Sequence, residues 1–220
     1  MSSVTLARPW LHFDLGQPMQ VLSWAINRPG FVTADRILWR EVRNVDLPVD
    51  LDVDAWLADE LAAHGALDAV TFLTSRGLQH FNDAHACVGE VEAHAVATVG
   101  FSNAERVGHR VDRSGAHWGT INVAVRLNIG LTQAALLEAM SIAVEARTAA
   151  VIDVGHKTPK GISTGTGTDC VAVASPEGAV RYAGLHTEIG EAVGRAVYDA
   201  VHQGAENWVT SMKETGHAAT

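Results

Sequence analysis

The residues of this chain best suited to chemistry lie in the stretch 161–169, which reads Gly-Ile-Ser-Thr-Gly-Thr-Gly-Thr-Asp. Glycine allows a positive backbone φ and close approach of a ligand, while serine and threonine hydroxyls both donate and accept hydrogen bonds. A connecting loop needs one or two glycines, whereas here glycine and threonine alternate up to a carboxylate. The pattern predicts a ligand-binding loop in which Gly165 and Gly167 have positive φ or contact the ligand. A polar connection between a helix and a strand is the plain alternative.

Familiar phosphate and metal motifs do not describe this chemistry. A P-loop has a lysine after its last glycine, and the dinucleotide fingerprint has a third glycine and leads into a helix. The stretch 161–169 has neither feature and precedes the strand-like run 171–174. The eleven histidines include no His-Glu-x-x-His pair, and their spacing is not that of zinc ligands. We therefore expect no metal site.

A second candidate position is His186, which stands just before the last predicted helix. Thr187 and Glu188 are typical of a helix N-terminus, where hydroxyl caps and negative charge are favoured. His186 has no such structural explanation, and the free N–H groups of a helix start suit an oxyanion. A hairpin turn predicted at 175–178, between strands 170–174 and 180–183, would bring His186 beside Asp169. The two side chains would then form an acid–base pair in one cleft.

Weaker candidates are polar residues at or within predicted strands. Ser102 and Asn103 follow the strand predicted over 93–101, and Thr120 and Asn122 share one face of the strand predicted over 119–125. Asparagine is rare in apolar strands, so Asn122 is expected to have a buried hydrogen-bond partner.

The elements that must position these residues indicate an α+β fold. Apolar periodicity predicts helices over about 133–153, capped by Thr132, and from Thr187 to a stop at Gly204, with a weakly patterned tail over 205–220. Runs 10–15 and 20–25 resemble a hairpin around Gly16. We expect one domain over 1–220, with a layered, mixed, mainly antiparallel sheet and helices packed on it.

Composition limits the function classes. The chain has 220 residues, is 47% hydrophobic and carries a net charge of −9, which argues against a nucleic-acid partner. Two cysteines cannot build a disulfide framework. Neither a signal peptide nor a spanning apolar segment is visible, so we expect a cytoplasmic protein without membrane contact.

Taken together, several blocks of the sequence resemble the adenosylcobinamide amidohydrolase family. The likeness covers about residues 20–203, and its specificity comes from the order and spacing of the blocks. The matching blocks are 21–23 with Asn27, 72–75, 99–104, 119–123, 164–169 and 182–190. Two departures are the Arg-Pro-Gly at 28–30, where a glycine pair is expected, and Arg147, where a lysine is usual.

The resemblance implies hydrolysis of the aminopropanol amide of adenosylcobinamide, giving adenosylcobyric acid and (R)-1-amino-2-propanol in cobamide salvage. It implies a corrinoid substrate and no cofactor, since the substrate itself carries the cobalt. Trp24, Trp39 and Trp118 are candidates to line a broad corrinoid pocket. Cys170 stands where the family tends to have a small residue and is not expected to be a nucleophile.

Amide hydrolysis needs an activated nucleophile, a proton for the leaving amine and donors for the oxyanion. The candidate catalytic residues are Asp169, His186, Thr166 and Glu188. The candidate substrate-binding residues are Ser102, Asn103, Thr120, Asn122, Thr164, Gly165, Gly167 and Thr168. A non-catalytic corrinoid-binding protein and a nucleotide-binding enzyme are the alternatives. Homo-oligomerisation, and whether water or a threonine attacks, stay open.

Overall fold

The computed structural model describes residues 2–48, 50–109, 111 and 119–214. In this part of the chain, helices α1 (Val53–Ala63), α2 (Gln133–Val154) and α3 (Glu188–Glu214) accompany one large mixed sheet, which confirms the α+β prediction. Among the described residues, no helix is both long enough and apolar enough to cross a lipid bilayer.

The large sheet contains eight of the twelve described strands. In chain order, the strands are β1 (Ser3–Ala7), β2 (Trp10–Ser23), β3 (Gly30–Glu41), β4 (Val70–Thr74), β5 (Asn82–Val88), β6 (Val91–Val99), β7 (Ala104–Glu105), β8 (Ile121–Leu127), β9 (Lys157–Thr158), β10 (Gly161–Ile162), β11 (Gly165–Thr166) and β12 (Cys170–Ser175). The order across the sheet is β4-β3-β2-β12-β8-β6-β5, and β1 also pairs with β2. The β12–β8 and β3–β4 pairs are parallel, and the other pairs of this sheet are antiparallel.

The hairpin predicted around Gly16 is wrong. Residues 10–23 form the single strand β2, which pairs with β3 on both sides of a register shift between Asp14 and Met19. Gly16 has φ of 83°, and its N–H donates to Asp14 Oδ1 at 2.7 Å. The turn signal in the sequence therefore marks a bulge that bends a long strand, because β3 supplies hydrogen-bond partners beyond it.

Helices α2 and α3 cover one face of the sheet. Small side chains dominate this contact, including Ala95 and Ala97 on β6 and Ala192 and Ala196 on α3, all fully buried. The opposite face carries a second apolar cluster built largely from β2, β3, β4 and β12. The predicted helix over 133–153 is confirmed as α2, and Thr132 accepts the N–H of Ala135 as its N-cap.

The last helix does not stop at Gly204. It continues to Glu214 and buries Gly204, Ala205 and Trp208, where the sequence suggested a weakly patterned tail. A Cβ on Gly204 would lie 2.8 Å from Val99 Cγ2 and 2.9 Å from Asn82 Nδ2. Glycine at this position therefore permits close packing on the sheet and does not end the helix.

The strand predicted over 180–183 is also absent. Strand β12 has β2 on one side and β8 on the other, so neither of its edges is free to pair with residues 180–183. Instead, Glu177 and Val180 each form an isolated bridge with Leu131, just before α2. The turn at 175–178 consequently leads away from β12 toward the start of α3.

Candidate functional site

A cavity of about 670 Å³ opens at the end of the sheet where β12 and β8 begin. This volume lies within the range of small-molecule sites. Its lining combines apolar and hydroxyl side chains from several distant parts of the chain. The lining residues are Trp24, Ala25, Ile26, Val42, Leu47, Thr71, Phe72, Leu73, Thr74, Ser75, Gly119, Thr120, Asn122, Thr168, Asp169 and Cys170. Of the candidate site residues, the cavity brings together Thr120, Asn122, Thr168 and Asp169.

Asp169 is held in the cavity wall by four hydrogen-bond donors. Its Oδ2 accepts from Arg147 Nη1 at 2.6 Å and from the Thr166 N–H at 3.0 Å. Its Oδ1 accepts from Thr166 Oγ1 at 2.5 Å and from the Ile121 N–H at 3.0 Å. Burial raises the pKa of the Asp169 carboxyl, and the Arg147 charge and the Thr166 hydrogen bonds oppose that rise. The carboxylate therefore ties α2, β8 and the 161–169 loop together.

Gly165 and Gly167 do not have positive φ, whereas Gly161 in the same loop does, at 114°. A Cβ on Gly165 would overlap Arg147 Nη1 and lie 2.5 Å from Asp169 Oδ2. Gly165 thus makes room for the ion pair behind the cavity wall. A Cβ on Gly167 would meet only Asn103 Nδ2, at 3.8 Å, so the structure gives no packing reason for glycine there.

A chain of polar contacts joins the remaining candidates. Asn103 accepts the Gly119 N–H at 3.1 Å, and its Nδ2 donates to Thr168 Oγ1 at 3.3 Å. Thr120 Oγ1 donates to the Thr168 carbonyl at 2.9 Å and lies 3.2 Å from Asn122 Oδ1. These contacts fix the loop after β11 against the start of β8.

Asn122 is buried, as its position within an apolar strand requires. Its Nδ2 donates to the Leu73 carbonyl oxygen at 2.7 Å, which gives it the buried partner expected from the sequence. This hydrogen bond connects β8 to the end of β4 across the cavity, so that strands distant in the sheet order share one wall.

Six further candidates are not among the residues that line the cavity: Ser102, Asn103, Thr164, Gly165, Thr166 and Gly167. Thr164 Oγ1 accepts the Val107 N–H at 2.8 Å, and the Thr164 N–H donates to the Glu105 carbonyl at 2.9 Å. Ser102 is exposed in the turn after β6. Both residues belong to the framework around the glycine–threonine loop, and Trp118 lies outside the described residues.

The structure adds Thr71 to the cavity wall, and Trp24, a candidate from the sequence, also lines the cavity. Thr71 is fully buried, and its Oγ1 has no hydrogen-bond partner among the described residues. A buried hydroxyl without a partner is costly in a folded protein and suits a ligand atom. In the sequence, Thr71 could have been noticed as the polar residue inside the otherwise apolar run 69–73. Trp24 is 46% exposed and donates its Nε1–H to the Asp169 carbonyl at 2.8 Å, whereas Trp39 is core.

His186 and Glu188 are not brought to Asp169. The Glu188 carboxylate packs at Gly89, in the turn between β5 and β6, beyond the Leu127 end of β8. Asp169 lies at the Ile121 end. Because strands rise about 3.3 Å per residue, the seven residues of β8 separate the two ends by roughly 20 Å. The predicted cleft shared by Asp169 and His186 is therefore wrong, since it depended on the strand over 180–183.

The block 182–190 has a clear structural role. Thr187 Oγ1 accepts the Gly190 N–H at 3.0 Å and so caps α3. A Cβ on Gly190 would overlap the Gly184 carbonyl oxygen, so glycine permits the chain to cross the first turn of the helix closely. His186 is exposed. The geometry explains Thr187 and Gly190 but assigns no contact to His186.

Cys170 lines the cavity as a neutral thiol. Burial raises its pKa to about 12, so the thiolate needed for nucleophilic attack is scarce at neutral pH. The hydroxyl groups and the Asp169 carboxylate are thus the chemically useful groups of this wall, and histidine does not occur among the residues that line the cavity.

The structure is that of an α+β protein built on one large mixed sheet, with two small two-stranded sheets, and its cavity is a small-molecule site of hydroxyl, amide and carboxyl groups. The sequence profile of the family "Adenosylcobinamide amidohydrolase" matches residues 2–213, nearly the whole chain. The chain belongs to the adenosylcobinamide amidohydrolase family.

Two individual proteins show similarity. The uncharacterized protein MJ1613 of Methanocaldococcus jannaschii is 37% identical over 87 residues, which are 38% of this chain and 34% of that protein. The match thus spans about a third of the relative's length. The crystal structure of the PH0078 protein from Pyrococcus horikoshii OT3 is similar with a TM-score of 0.43 and 9% identity, covering 94% of this chain and 85% of that one. A likeness of that size supports no argument about function.

Proposed function

We propose that this chain hydrolyses the amide that attaches the aminopropanol arm of adenosylcobinamide, and that it does so in the cavity beside Asp169. The products would be adenosylcobyric acid and (R)-1-amino-2-propanol, as in salvage of incomplete corrinoids in the cytoplasm. Family membership supports an amidohydrolase in general. One observation supports placing the reaction in this cavity. Four segments that are distant in the sequence meet around it: 24–26, 71–75, 119–122 and 168–170.

The residues that line the cavity suit a large substrate with a small reacting arm. Trp24 and Ile26 are 46% and 44% exposed at the cavity, which gives an apolar surface for the edge of a corrin ring. The arm with its amide would enter the pocket. The Thr71 hydroxyl has no hydrogen-bond partner among the described residues but is fully buried, so the wall over it would have to move before it could bind an amide oxygen or nitrogen. Ring and arm would thus contact different parts of one wall.

In this proposal Asp169, which lines the cavity, is the base, and Thr166, which contacts Asp169 without lining the cavity, is the hydroxyl. Thr166 Oγ1 donates to Asp169 Oδ1 at 2.5 Å, and Arg147 orients the same carboxylate through Oδ2. A hydroxyl bonded to a base that a third group orients is the arrangement of an activated nucleophile or a proton relay. In the proposed reaction the attacking oxygen loses a proton to this pair. The proton then passes to the departing amine as the C–N bond breaks.

The decisive experiment incubates the purified protein with adenosylcobinamide and measures release of aminopropanol. Thr166→Val should lower kcat by about 10²–10⁴, the usual worth of positioned proton transfer. Thr71→Val should mainly raise KM. Ser141→Ala on the exposed face of α2 is the matched control and should keep wild-type kinetics. Mass spectrometry of the quenched reaction distinguishes attack by Thr166, which leaves an acyl adduct, from attack by water.

The alternatives predict different results. A corrinoid-binding protein would bind adenosylcobinamide without releasing aminopropanol, and that outcome would refute the hydrolase proposal. A nucleotide-binding enzyme would need basic residues in the cavity wall to bind the phosphates, whereas Arg147 beside the glycine–threonine loop is paired with Asp169. Among the residues that line the cavity there is neither lysine nor arginine. We also expect turnover after chelation of metals, because the described cavity wall holds no cluster of metal ligands.

A further inference from the structure

A histidine–aspartate cluster lies at the edge of the sheet, on the β5–β6 hairpin. His85 on β5 stands directly opposite His94 on β6, and Asp83 lies two residues before His85 on the same strand. Because side chains alternate along a strand, Asp83 and His85 share one face, and the cross-strand register adds His94 to it. None of the three lines the cavity beside Asp169.

The ligand atoms of this cluster have the spacing of a metal site. One ligand atom from each residue lies within 4.8 Å of the other two. His94 Nε2 is 3.3 Å and His85 Nε2 is 3.9 Å from Asp83 Oδ2. Zinc bonds to histidine nitrogen and carboxylate oxygen measure about 2.0–2.2 Å, so two ligands on a tetrahedral zinc lie about 3.3 Å apart. To bind the same ion as His94, the exposed His85 ring would have to turn out of its stack on the His94 ring.

The surroundings of His94 are those of a positioned ligand. Its Nε2 lies 3.3 Å from Asp83 Oδ2 and its Nδ1 lies 2.9 Å from Ser2 Oγ. Without an ion the Nε2–H donates to Asp83, and with a metal at Nε2 the proton would move to Nδ1 and be donated to Ser2 Oγ. Metal-binding histidines commonly donate their second N–H to such an oxygen. Phe13 packs edge-on against the His94 ring at 4.8 Å between centroids, and the ring is buried. The ring orientation is therefore fixed before any ion arrives.

The charges around the cluster determine how strongly it could hold a metal cation. His85 and His94 stack with ring centroids 3.7 Å apart, so two charged rings would repel each other. Arg126 on β8 stands directly opposite His94 on β6, so its positive charge would repel a metal cation. The negative charge of Asp83 offsets part of that repulsion. We therefore expect moderate affinity.

We propose that Asp83, His85 and His94 form a binding site for a divalent transition-metal ion, with Zn²⁺ the best fit to two imidazoles and one carboxylate. Water would complete the coordination. The ion would join β5 to β6 and, through Ser2, hold the start of β1 against this edge. Its role is to stabilise the sheet edge, separate from hydrolysis at the cavity.

The test titrates ZnCl₂ into the chelator-treated protein by calorimetry and repeats the titration with CoCl₂, whose visible absorption reports tetrahedral nitrogen and oxygen ligands. We expect one ion per chain and a higher Tm with zinc. His85→Ala should weaken binding at least about tenfold. Ser2→Ala, which removes only the contact to His94 Nδ1, should weaken it about 10–100-fold, the usual effect of such partners.

His202→Ala is the matched control, because it removes a histidine that pairs with a carboxylate, Glu206, elsewhere on the surface. It should leave the zinc affinity unchanged. His85 is 62% exposed, so its substitution is compatible with folding, and circular dichroism verifies this. Absence of zinc binding by the wild type, or equal binding by wild type and His85→Ala, would show that the cluster is only a hydrogen-bonded surface group.

Discussion

At the scale of single residues, the Asp169 carboxylate is buried and accepts four hydrogen bonds. A substitution of Asp169 should therefore affect stability as well as activity. Only 8% of its side chain is exposed, and its partner Arg147 is 12% exposed. Removing one member of a buried ion pair leaves an uncompensated charge behind. The carboxylate is thus a structural tie as well as a candidate for proton transfer.

We predict that Asp169→Asn destabilises the protein in addition to impairing hydrolysis. The asparagine would place an amide N–H₂ against Arg147 or Thr166, both of which donate to the native carboxylate. The free energy of unfolding should fall by about 3–5 kcal/mol, as for other broken buried pairs. Urea denaturation measures this change.

Arg147→Lys is the control for that experiment, because it keeps the charge while losing the planar guanidinium. It should cost much less than Asp169→Asn. A loss below about 1 kcal/mol for Asp169→Asn would contradict the view that the pair holds the loop, since that is the size of an exposed ion pair.

At the scale of elements, glycines separate into those that turn the chain and those that allow close contact. The sequence alone does not distinguish these two roles of glycine. Gly155 ends α2 with φ of 73°, whereas Gly165 and Gly204 have no positive φ and lie against side chains of other elements. Their substitution should therefore fail through overlap and not through backbone strain.

Gly165→Ala should be harmful and Gly167→Ala tolerated. The first would overlap Arg147 and crowd Asp169, whereas the second meets only Asn103 Nδ2 at 3.8 Å. We expect a loss of about 1–3 kcal/mol for Gly165→Ala, the cost of overpacking, and a change below about 0.5 kcal/mol for Gly167→Ala. Thermal unfolding of the two variants in parallel would reveal the difference, and equal behaviour would disprove the assigned role of Gly165.

Two glycines of α3 provide a second matched comparison. An alanine Cβ at Gly194 would touch Ile142 Cγ2 at 3.7 Å, an ordinary contact, so Gly194→Ala should gain up to about 1 kcal/mol of helix propensity. At Gly204 the Cβ would lie 2.8 Å from Val99, and Gly204→Ala should lose about 1–3 kcal/mol despite the same propensity gain. Opposite signs in the shift of Tm are the expected result.

At the scale of the whole molecule, the sheet separates Asp169 from His186. Residues more than 7–10 Å apart that share no partner have nearly additive effects. We therefore predict that Asp169→Asn and His186→Ala combine additively in log kcat, within about 0.5 kcal/mol. Steady-state kinetics of the single and double variants test this. A coupling above about 1 kcal/mol would mean that the two side chains act in one site after all.

The sequence alone determined the elements whose signals are local. The α2 helix and the first part of α3, up to Gly204, follow from apolar periodicity and from the caps Thr132 and Thr187, which act on N–H groups three residues away. The stretch 161–169 was identified by its own composition. The family followed from ordered blocks, and the profile match over residues 2–213 confirms it.

Only the tertiary structure decided which distant residues meet. Strands compete for hydrogen-bonding edges across the whole sheet, and β2 and β8 occupy both edges of β12, which the turn at 175–178 could not reveal. Because residues 180–183 do not pair with β12, His186 lies far from Asp169. The ion-pair partner of Asp169 is Arg147. The same cross-strand register placed His85 opposite His94, nine positions apart in a sequence whose spacing showed no metal site.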